Sequence, residues 1–389
     1  MASLESTTDE RVFIRDKATW IGYLLIGLYC YIYSGLGPLM PYLREEQGLN
    51  YTMGSLHFSA WSVGIISAGS FGNIVIRKLG ASRAIWIFGA GLCLALLSLL
   101  LAKVTAITIL SVMIGGFCGS TMGQAITTIN AERFGIERTI ALTEVTITGS
   151  LFAMVAPLVV GQFIKMGFNW RVAMIFPFIF FVLLLIPGKA VFTEFGYVTR
   201  GFIPGKLPLK YWFFWVVIWL SVASEWSIIF WTPDFLQTGK GLLKEDAVQA
   251  VSIFLLAMLL GRVVGVNLAR RYRAQMLLSV ASAIALCGFL LYWLGTTTPV
   301  TLLGLGIAGL GNANVYPLSF AQAIGSAGDR TGLAAARMSI STGSAVLITP
   351  LVLAAIGDQV GIHKAHAVVA VLLTAVSIML AIAAFKNRE

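Results

Sequence analysis

The chain has 389 residues, of which 58% are hydrophobic and only 11% are charged, and its net charge is +10. An ordinary globular protein carries about 25% charged residues, so this chain has too little polar surface to face water on all sides. The composition therefore excludes a cytosolic enzyme, a disordered chain and a secreted disulfide scaffold, and it predicts a protein with many membrane spans.

Apolar runs long enough to cross a bilayer recur along the whole chain. A hydrocarbon core about 30 Å thick requires about 20 helical residues. Twelve runs have roughly this length, in chain order 18–43, 53–76, 84–103, 106–130, 139–164, 170–187, 211–236, 246–268, 275–295, 299–324, 331–356 and 365–385. We expect an all-α polytopic membrane protein of twelve transmembrane helices.

The distribution of basic residues predicts the orientation of these spans. With the N-terminus inside, the cytoplasmic segments hold 18 Lys and Arg residues, whereas the outer loops hold seven. This is the positive-inside bias, and it places both termini in the cytoplasm, in what we expect to be a bacterial inner membrane. Since topology explains the positive charge, we expect contact with the lipid bilayer and no nucleic-acid partner.

The two halves of the chain form an internal repeat with an offset of 192 or 193 residues. The matching pairs are Pro41 and Pro233, Gly72 and Gly265, Arg138 and Arg330, and Pro157 and Pro350. Six helices in each repeat keep the two halves in the same orientation, which makes this a parallel repeat. The repeat predicts a six-helix bundle over 18–187 and a second over 211–385, with tails at 1–17 and 386–389 and a central cytoplasmic loop at 188–210.

Three local patterns accompany the repeat. The loop after the second span carries glycines and basic residues in the order Gly72, Arg77, Lys78, Gly80 and Arg83, and the basic pair Arg270 and Arg271 follows Gly265 in the second half. The eighth span contains LLGRVVG, and the fifth ends in APLVVG.

With these patterns the chain resembles the major facilitator superfamily over essentially its full length. It departs from the family's signature loop in lacking the usual aspartate, and from the drug–proton antiporter motif in having alanine for the first glycine of helix five. The resemblance implies two six-helix bundles that rock around a central site in alternating access, and a secondary transporter rather than an enzyme, with no catalytic residue, metal or cofactor. We expect a monomer whose partners are a small solute and protons.

Ionisable groups are costly inside a membrane and are therefore candidates for function. Five lie well inside the spans, namely His57, Glu144, Glu225, Arg262 and Arg337, and the remaining charges, Arg44 and Asp234 among them, lie in loops or at helix ends. Glu225 lies at the middle of the seventh span, in the sequence ASEWSIIFWTPDFLQ, which resembles helix seven of fucose-type sugar–proton symporters. We predict that Glu225 carries the coupled proton, with Glu144 as second choice. The alternative is a neutral glutamic acid hydrogen-bonded to a neighbouring helix.

The two arginines predict an anionic substrate. An arginine stays charged, so its burial requires an anion or a carboxylate partner. On helices eight and eleven, Arg262 and Arg337 resemble the basic residues that oxalate–formate exchangers and monocarboxylate transporters use for substrate carboxylates. The alternative is a salt bridge at the inner gate, for which Glu144 with Arg262 is the predicted pair. We interpret His57 as an interface histidine rather than a proton relay.

Polar and aromatic side chains on helices one, four, seven and ten complete the predicted site, because these helices line the cavity in the family that the chain resembles. Our candidates for the cavity wall are Tyr29, Tyr31, Tyr33, Gln124, Asn130, Trp226, Asn312, Asn314 and Tyr316. The predicted function is proton-coupled transport of a small polar solute, which we expect to be an organic anion. Transport of a neutral sugar and multidrug efflux remain alternatives, and a receptor or scaffold is the rival class.

Overall fold

The computed structural model describes residues 15–134, 138–188 and 205–386, and every regular element within these ranges is helical. The helices of the first half are α1 (Lys17–Gln47), α2 (Tyr51–Leu79), α3 (Ala81–Leu101), α4 (Thr105–Phe134), α5 (Arg138–Lys165) and α6 (Val172–Gly188). Those of the second half are α7 (Leu209–Gly239), α8 (Lys244–Ala269), α9 (Ala274–Leu294), α10 (Thr298–Asn312 and Val315–Ser326), α11 (Thr331–Val360) and α12 (Ala367–Lys386).

The predicted all-α fold is confirmed. Among the described residues, ten helices are long and apolar enough to cross a membrane. The other two predicted spans correspond to α6, which is shorter, and to α10, which is interrupted between Asn312 and Val315. Most of the predicted tails and central loop, at 1–14, 189–204 and 387–389, lie outside the described residues, and the bounds predicted for the two bundles stay a prediction.

Local sequence signals define where the helices begin and end. The side chain of Asp16 caps α1 by accepting from the backbone N–H of Thr19 at 3.0 Å. Hydrogen bonds from Arg133 to this carboxylate hold the pKa of Asp16 down at about 2. Gly80 separates α2 from α3 with φ +82°, a left-handed conformation in which glycine is unstrained.

Contacts between helices follow the internal repeat. In the first half α1 packs on α5, and α4 packs on both α2 and α3; in the second half α7 packs on α11, and α10 packs on both α8 and α9. The halves meet along α2 with α11, α5 with α8 and α1 with α7. The two halves therefore contact each other on two sides, through α2 with α11 and through α5 with α8, and a cavity lies between them.

The halves are joined at the end of the molecule where α1 ends and α2 begins, which we call the outer end. Arg44 of α1 and Asp234 of α7 form an ion pair of 2.5 Å, with side chains only 14% and 4% exposed. Asp358, in the last turn of α11, accepts hydrogen bonds from the backbone N–H groups of Tyr51 and Thr52 at the start of α2. The cavity is thus closed at the outer end.

Candidate functional site

A cavity of about 530 Å³ lies between the two halves. Side chains from α1, α4 and α5 form one wall, and side chains from α7 and α8 form the other. A smaller cavity of about 270 Å³ adjoins it and adds residues of α2, α10 and α11. Both volumes share four lining residues, Tyr33, Glu225, Trp226 and Arg262, all of which the sequence had singled out.

Glu225 is held in the cavity wall by a short polar network. Asn312 donates its side-chain N–H to Glu225 Oε2 at 3.2 Å, and its own Oδ1 accepts from the hydroxyl of Ser221 at 3.2 Å. Asn312 is the last residue of the first segment of α10, so the interruption of this helix places an amide beside the carboxyl group. The network fixes the orientation of Glu225 in either protonation state, because an amide can serve both carboxyl and carboxylate.

Arg262 lines the cavity without a carboxylate partner. Its Nη1 donates to Ser150 Oγ of α5 at 2.9 Å, and no carboxylate oxygen of the described residues lies within 4.0 Å of its guanidinium group. Since Glu225 lines the same two volumes, the cavity presents one fixed positive charge and one titratable carboxyl group. Such a pair can bind an anion and a proton together.

Aromatic rings pack against one another at the side of the cavity that lies toward the closed outer end. The ring of Tyr33 lies between Trp61 and Trp226, with centroid distances of 5.0 and 4.4 Å. Phe58 and Phe230 stack beside them at 3.9 Å, and they belong to α2 and α7 respectively. Sequence reasoning missed Trp61 and Phe58 because an aromatic residue on an apolar helix carries no sign of which helix it contacts.

The other predicted lining residues divide into two groups. Gln124 and Tyr29 line the larger cavity, and Tyr316 lines the smaller one. Asn130 is buried outside both, Asn314 donates to the carbonyl of Gly261 where α10 packs on α8, and Tyr31 donates to the carbonyl of Ala173. Asn314 and Tyr31 therefore bond to neighbouring backbone in this conformation, and neither they nor Asn130 line the two cavities.

The predicted ion pair between Glu144 and Arg262 is absent. Glu144 accepts instead from Arg15, which precedes α1, with Arg15 Nη2 2.6 Å from Glu144 Oε1. At 100° per residue, Glu144 lies about 140–180° around α5 from Gly149 and Ala153, which line the cavity. The sequence placed Glu144 at the correct depth, but its direction around the helix axis takes it away from Arg262.

Arg337 also lies apart from the cavity. Its guanidinium carbon is 5.5 Å from the centroid of the Trp212 ring at the start of α7, and it lines neither of the two volumes. On α11, Arg337 is turned about 140–180° from Thr342 and Val346, which line the smaller cavity. The prediction that Arg337 contacts the substrate therefore has no support in this conformation.

The remaining candidates lie at packing interfaces or on the surface. His57 is fully buried and contacts the hydroxyl of Thr108 at 2.9 Å and the carbonyl of Gly54 at 3.0 Å, as expected of an interface histidine. Gly72 packs against α4, where an added Cβ would lie 3.0 Å from Gln124 Oε1. The basic residues of the two loops are all exposed: Arg77, Lys78, Arg83, Arg270 and Arg271.

Comparisons with known proteins bear on the fold and the family. The sequence profile of the Major Facilitator Superfamily matches residues 20–336. An uncharacterized MFS-type transporter of Yersinia pestis is 24% identical over 358 residues, which cover 88% of this chain and 91% of the relative.

Two solved structures resemble this one closely. A mutant of the nucleoside transporter NupG aligns with a TM-score of 0.77 at 14% identity and covers 95% of this chain and 98% of NupG. The human organic anion transporter MFSD10 aligns with a TM-score of 0.69 at 16% identity, over 94% of this chain and 99% of MFSD10. At these identities the two structures support the fold and leave the solute open.

Proposed function

The chain belongs to the Major Facilitator Superfamily, and from this premise we propose that it is a proton-coupled secondary transporter of a small organic anion, working by alternating access. The observation that carries the proposal is Arg262, which lines the cavity beside Glu225 and has no carboxylate within 4.0 Å among the described residues. A charged arginine in a partly apolar cavity is stabilised by an anion, and a guanidinium group matches a carboxylate in a bidentate geometry.

Charge balance supports coupling to a proton. When Glu225 is ionised, it offsets the charge of Arg262 across the cavity; when Glu225 is protonated, the positive charge of Arg262 is free to attract an anion. An anionic solute would thus bind together with a proton and leave together with it. Neutral sugars need many hydrogen-bonding groups and no fixed charge, and they would leave Arg262 without a counterion.

The closed outer end supports a conformation that opens toward the inner end. The bias of basic residues puts that inner end in the cytoplasm. We propose that both termini are cytoplasmic, that the membrane is a bacterial inner membrane, and that the protein acts as a monomer. In this arrangement the cavity exchanges solute with the cytoplasm, and the contacts between the halves at the outer end keep that end closed.

The direct test is binding of carboxylates to the purified protein. A thermal-shift screen should find that small carboxylates raise Tm while neutral sugars and cationic drugs do not. Arg262→Ala should abolish the shift and Arg262→Lys should keep only part of it, because lysine retains the charge but not the bidentate geometry. Arg270→Ala is the matched control, since Arg270 is exposed at the end of the same helix.

One result would overturn the proposal. If a neutral sugar raises Tm and does so equally in Arg262→Ala, the cavity does not select for negative charge, and the sugar-symporter alternative takes precedence.

A further inference from the structure

On the side of the second half that faces away from the cavity, α11 carries an arginine, Arg337. On α11 the strongly exposed residues Ile340, Ile348 and Val352 mark the stripe that a bilayer would cover, with exposures of 56%, 44% and 44%. Arg337 lies within about 60° of all three around the helix axis. The arginine therefore belongs to the lipid-facing stripe of α11, near the inner end of the helix.

The internal repeat shows that this arginine lacks the partner its counterpart has. At an offset of 193, Arg337 is equivalent to Glu144, and Thr342 and Val346 are equivalent to Gly149 and Ala153. Glu144 is neutralised by Arg15. Among the described residues Arg337 has no carboxylate within 4.0 Å. Its guanidinium group lies over the ring of Trp212, and its backbone carbonyl accepts from Trp215 Nε1. An anion from outside the chain would give Arg337 a charged partner, as Arg15 does for Glu144.

The surroundings of Arg337 suit a lipid headgroup. Trp212 is 38% exposed and Leu209, one turn earlier on α7, is 85% exposed, so an amphipathic ring lies beside a lipid-facing aliphatic residue. Tryptophan favours the boundary between hydrocarbon and headgroups. Arg330 is the N-cap residue of α11, about 10 Å along the helix axis from Arg337, and its guanidinium group donates to the carbonyl of Lys206 at 2.8 Å. A long arginine side chain at this depth can extend to the headgroup region.

We propose that Arg337, Trp212 and Arg330 form a binding site for the phosphate group of an anionic phospholipid in the inner leaflet. The guanidinium group of Arg337 binds the phosphate oxygens, the ring of Trp212 packs on the glycerol backbone and upper acyl chains, and Arg330 adds a second positive charge. The site stands independently of the transported solute. Each basic residue near a membrane surface contributes enough attraction to change lipid affinity roughly fivefold.

The test compares nanodiscs of phosphatidylcholine with nanodiscs of phosphatidylcholine and phosphatidylglycerol at a ratio of three to one. Phosphatidylglycerol should raise the Tm of the native protein and should remain bound in native mass spectrometry. Arg337→Ala should lose most of the rise in Tm and bind this lipid roughly fivefold more weakly. Arg337→Lys should retain part of both effects, and Trp212→Leu should weaken both with the charges unchanged.

Arg271→Ala is the matched control, because Arg271 is exposed at the inner end but lies outside the proposed site. It should respond to phosphatidylglycerol as the native protein does. An undiminished response in Arg337→Ala would overturn the proposal, as would an equal loss in Arg271→Ala, which would indicate attraction to the surface as a whole. If Arg337→Ala does not fold, Trp212→Leu and Arg337→Lys decide the question: native responses in both would equally overturn it.

Discussion

Glu225 illustrates what a single residue in the sequence can reveal. A carboxyl group fourteen residues into an apolar run is costly, and this cost alone pointed to a function. The structure adds the amide of Asn312, which lies 87 positions away and holds Glu225 Oε2 at 3.2 Å. Such a partner could not be predicted, because contact between α7 and α10 depends on how each helix is rotated about its axis.

Glu225→Gln should separate solute binding from proton coupling. Glutamine keeps an oxygen for the N–H of Asn312 but cannot release a proton, so the cavity geometry survives while the coupling is lost. In proteoliposomes we expect solute exchange to continue within about twofold and uphill accumulation under a pH gradient to disappear. Glu225→Asp retains a titratable group and should keep some accumulation. Normal accumulation by Glu225→Gln would mean that another group carries the proton.

Glu144 illustrates the limit of depth as a criterion. The sequence placed it level with Arg262, but the structure pairs it with Arg15. Arg15→Gln and Glu144→Gln should therefore show non-additive effects on thermal stability, with the small coupling that is usual for exposed ion pairs. Glu144→Gln with Arg262→Gln should be additive in the same assay. Coupling between Glu144 and Arg262, together with additive effects of Arg15→Gln and Glu144→Gln, would instead support the ion pair predicted at the inner gate.

The helices as elements were largely predictable, because length and hydropathy suffice to locate a membrane span. The interruption of α10 was missed although the sequence contains a signal for it. Pro317 has no backbone N–H for the carbonyl of Ala313, four residues earlier, and its ring clashes with that carbonyl. The helix accordingly breaks at Ala313 and Asn314, which leaves Asn312 at a helix end beside Glu225.

Close packing of α9 on α10 depends on particular glycines. A Cβ added at Gly304 would lie 2.2 Å from the backbone nitrogen of Tyr292, whereas one added at Gly306 would find its nearest neighbour at an ordinary 3.5 Å. Gly304→Ala must force the two backbones apart and should cost about 1–3 kcal/mol. Gly306→Ala in the same helix should be nearly neutral. Equal changes in Tm for the two variants would show that this contact is not needed for stability.

The arrangement of both halves repeats at the outer end with the charges reversed. Lys165 at the end of α5 pairs with Asp246 in the first turn of α8, at 2.5 Å. Its repeat equivalent, Asp358 at the end of α11, accepts from backbone N–H groups in the first turn of α2. The first turn of α8 already contains acidic residues and pairs with a lysine. The first turn of α2 contains no acidic residue and binds an aspartate, whose negative charge suits the N-terminus of a helix.

The repeat and the fold were thus evident from the sequence, but which end is closed was not, because the proposed alternating access requires one sequence to adopt both conformations. The closed end became visible only through contacts such as that between Arg44 and Asp234, which the sequence analysis had assigned to a loop and a helix end. Arg44 and Asp234 are 190 residues apart in sequence and are buried together, so their ion pair joins the two halves.

Removing the contacts that join the halves at the outer end should open that end. Removal of one partner from a buried ion pair costs about 3 kcal/mol or more, so Arg44→Ala should shift the equilibrium toward the outward-open conformation by roughly a hundredfold.

The reporter is Thr127→Cys on the cavity wall, in a background without the four native cysteines. A membrane-impermeant thiol reagent added at the outer face should label it slowly in the parent and much faster with Arg44→Ala or Asp358→Ala. Lys364→Ala removes an exposed outer charge and should leave the rate unchanged. Equal labelling rates in all four proteins would show that these contacts do not hold the outer end closed.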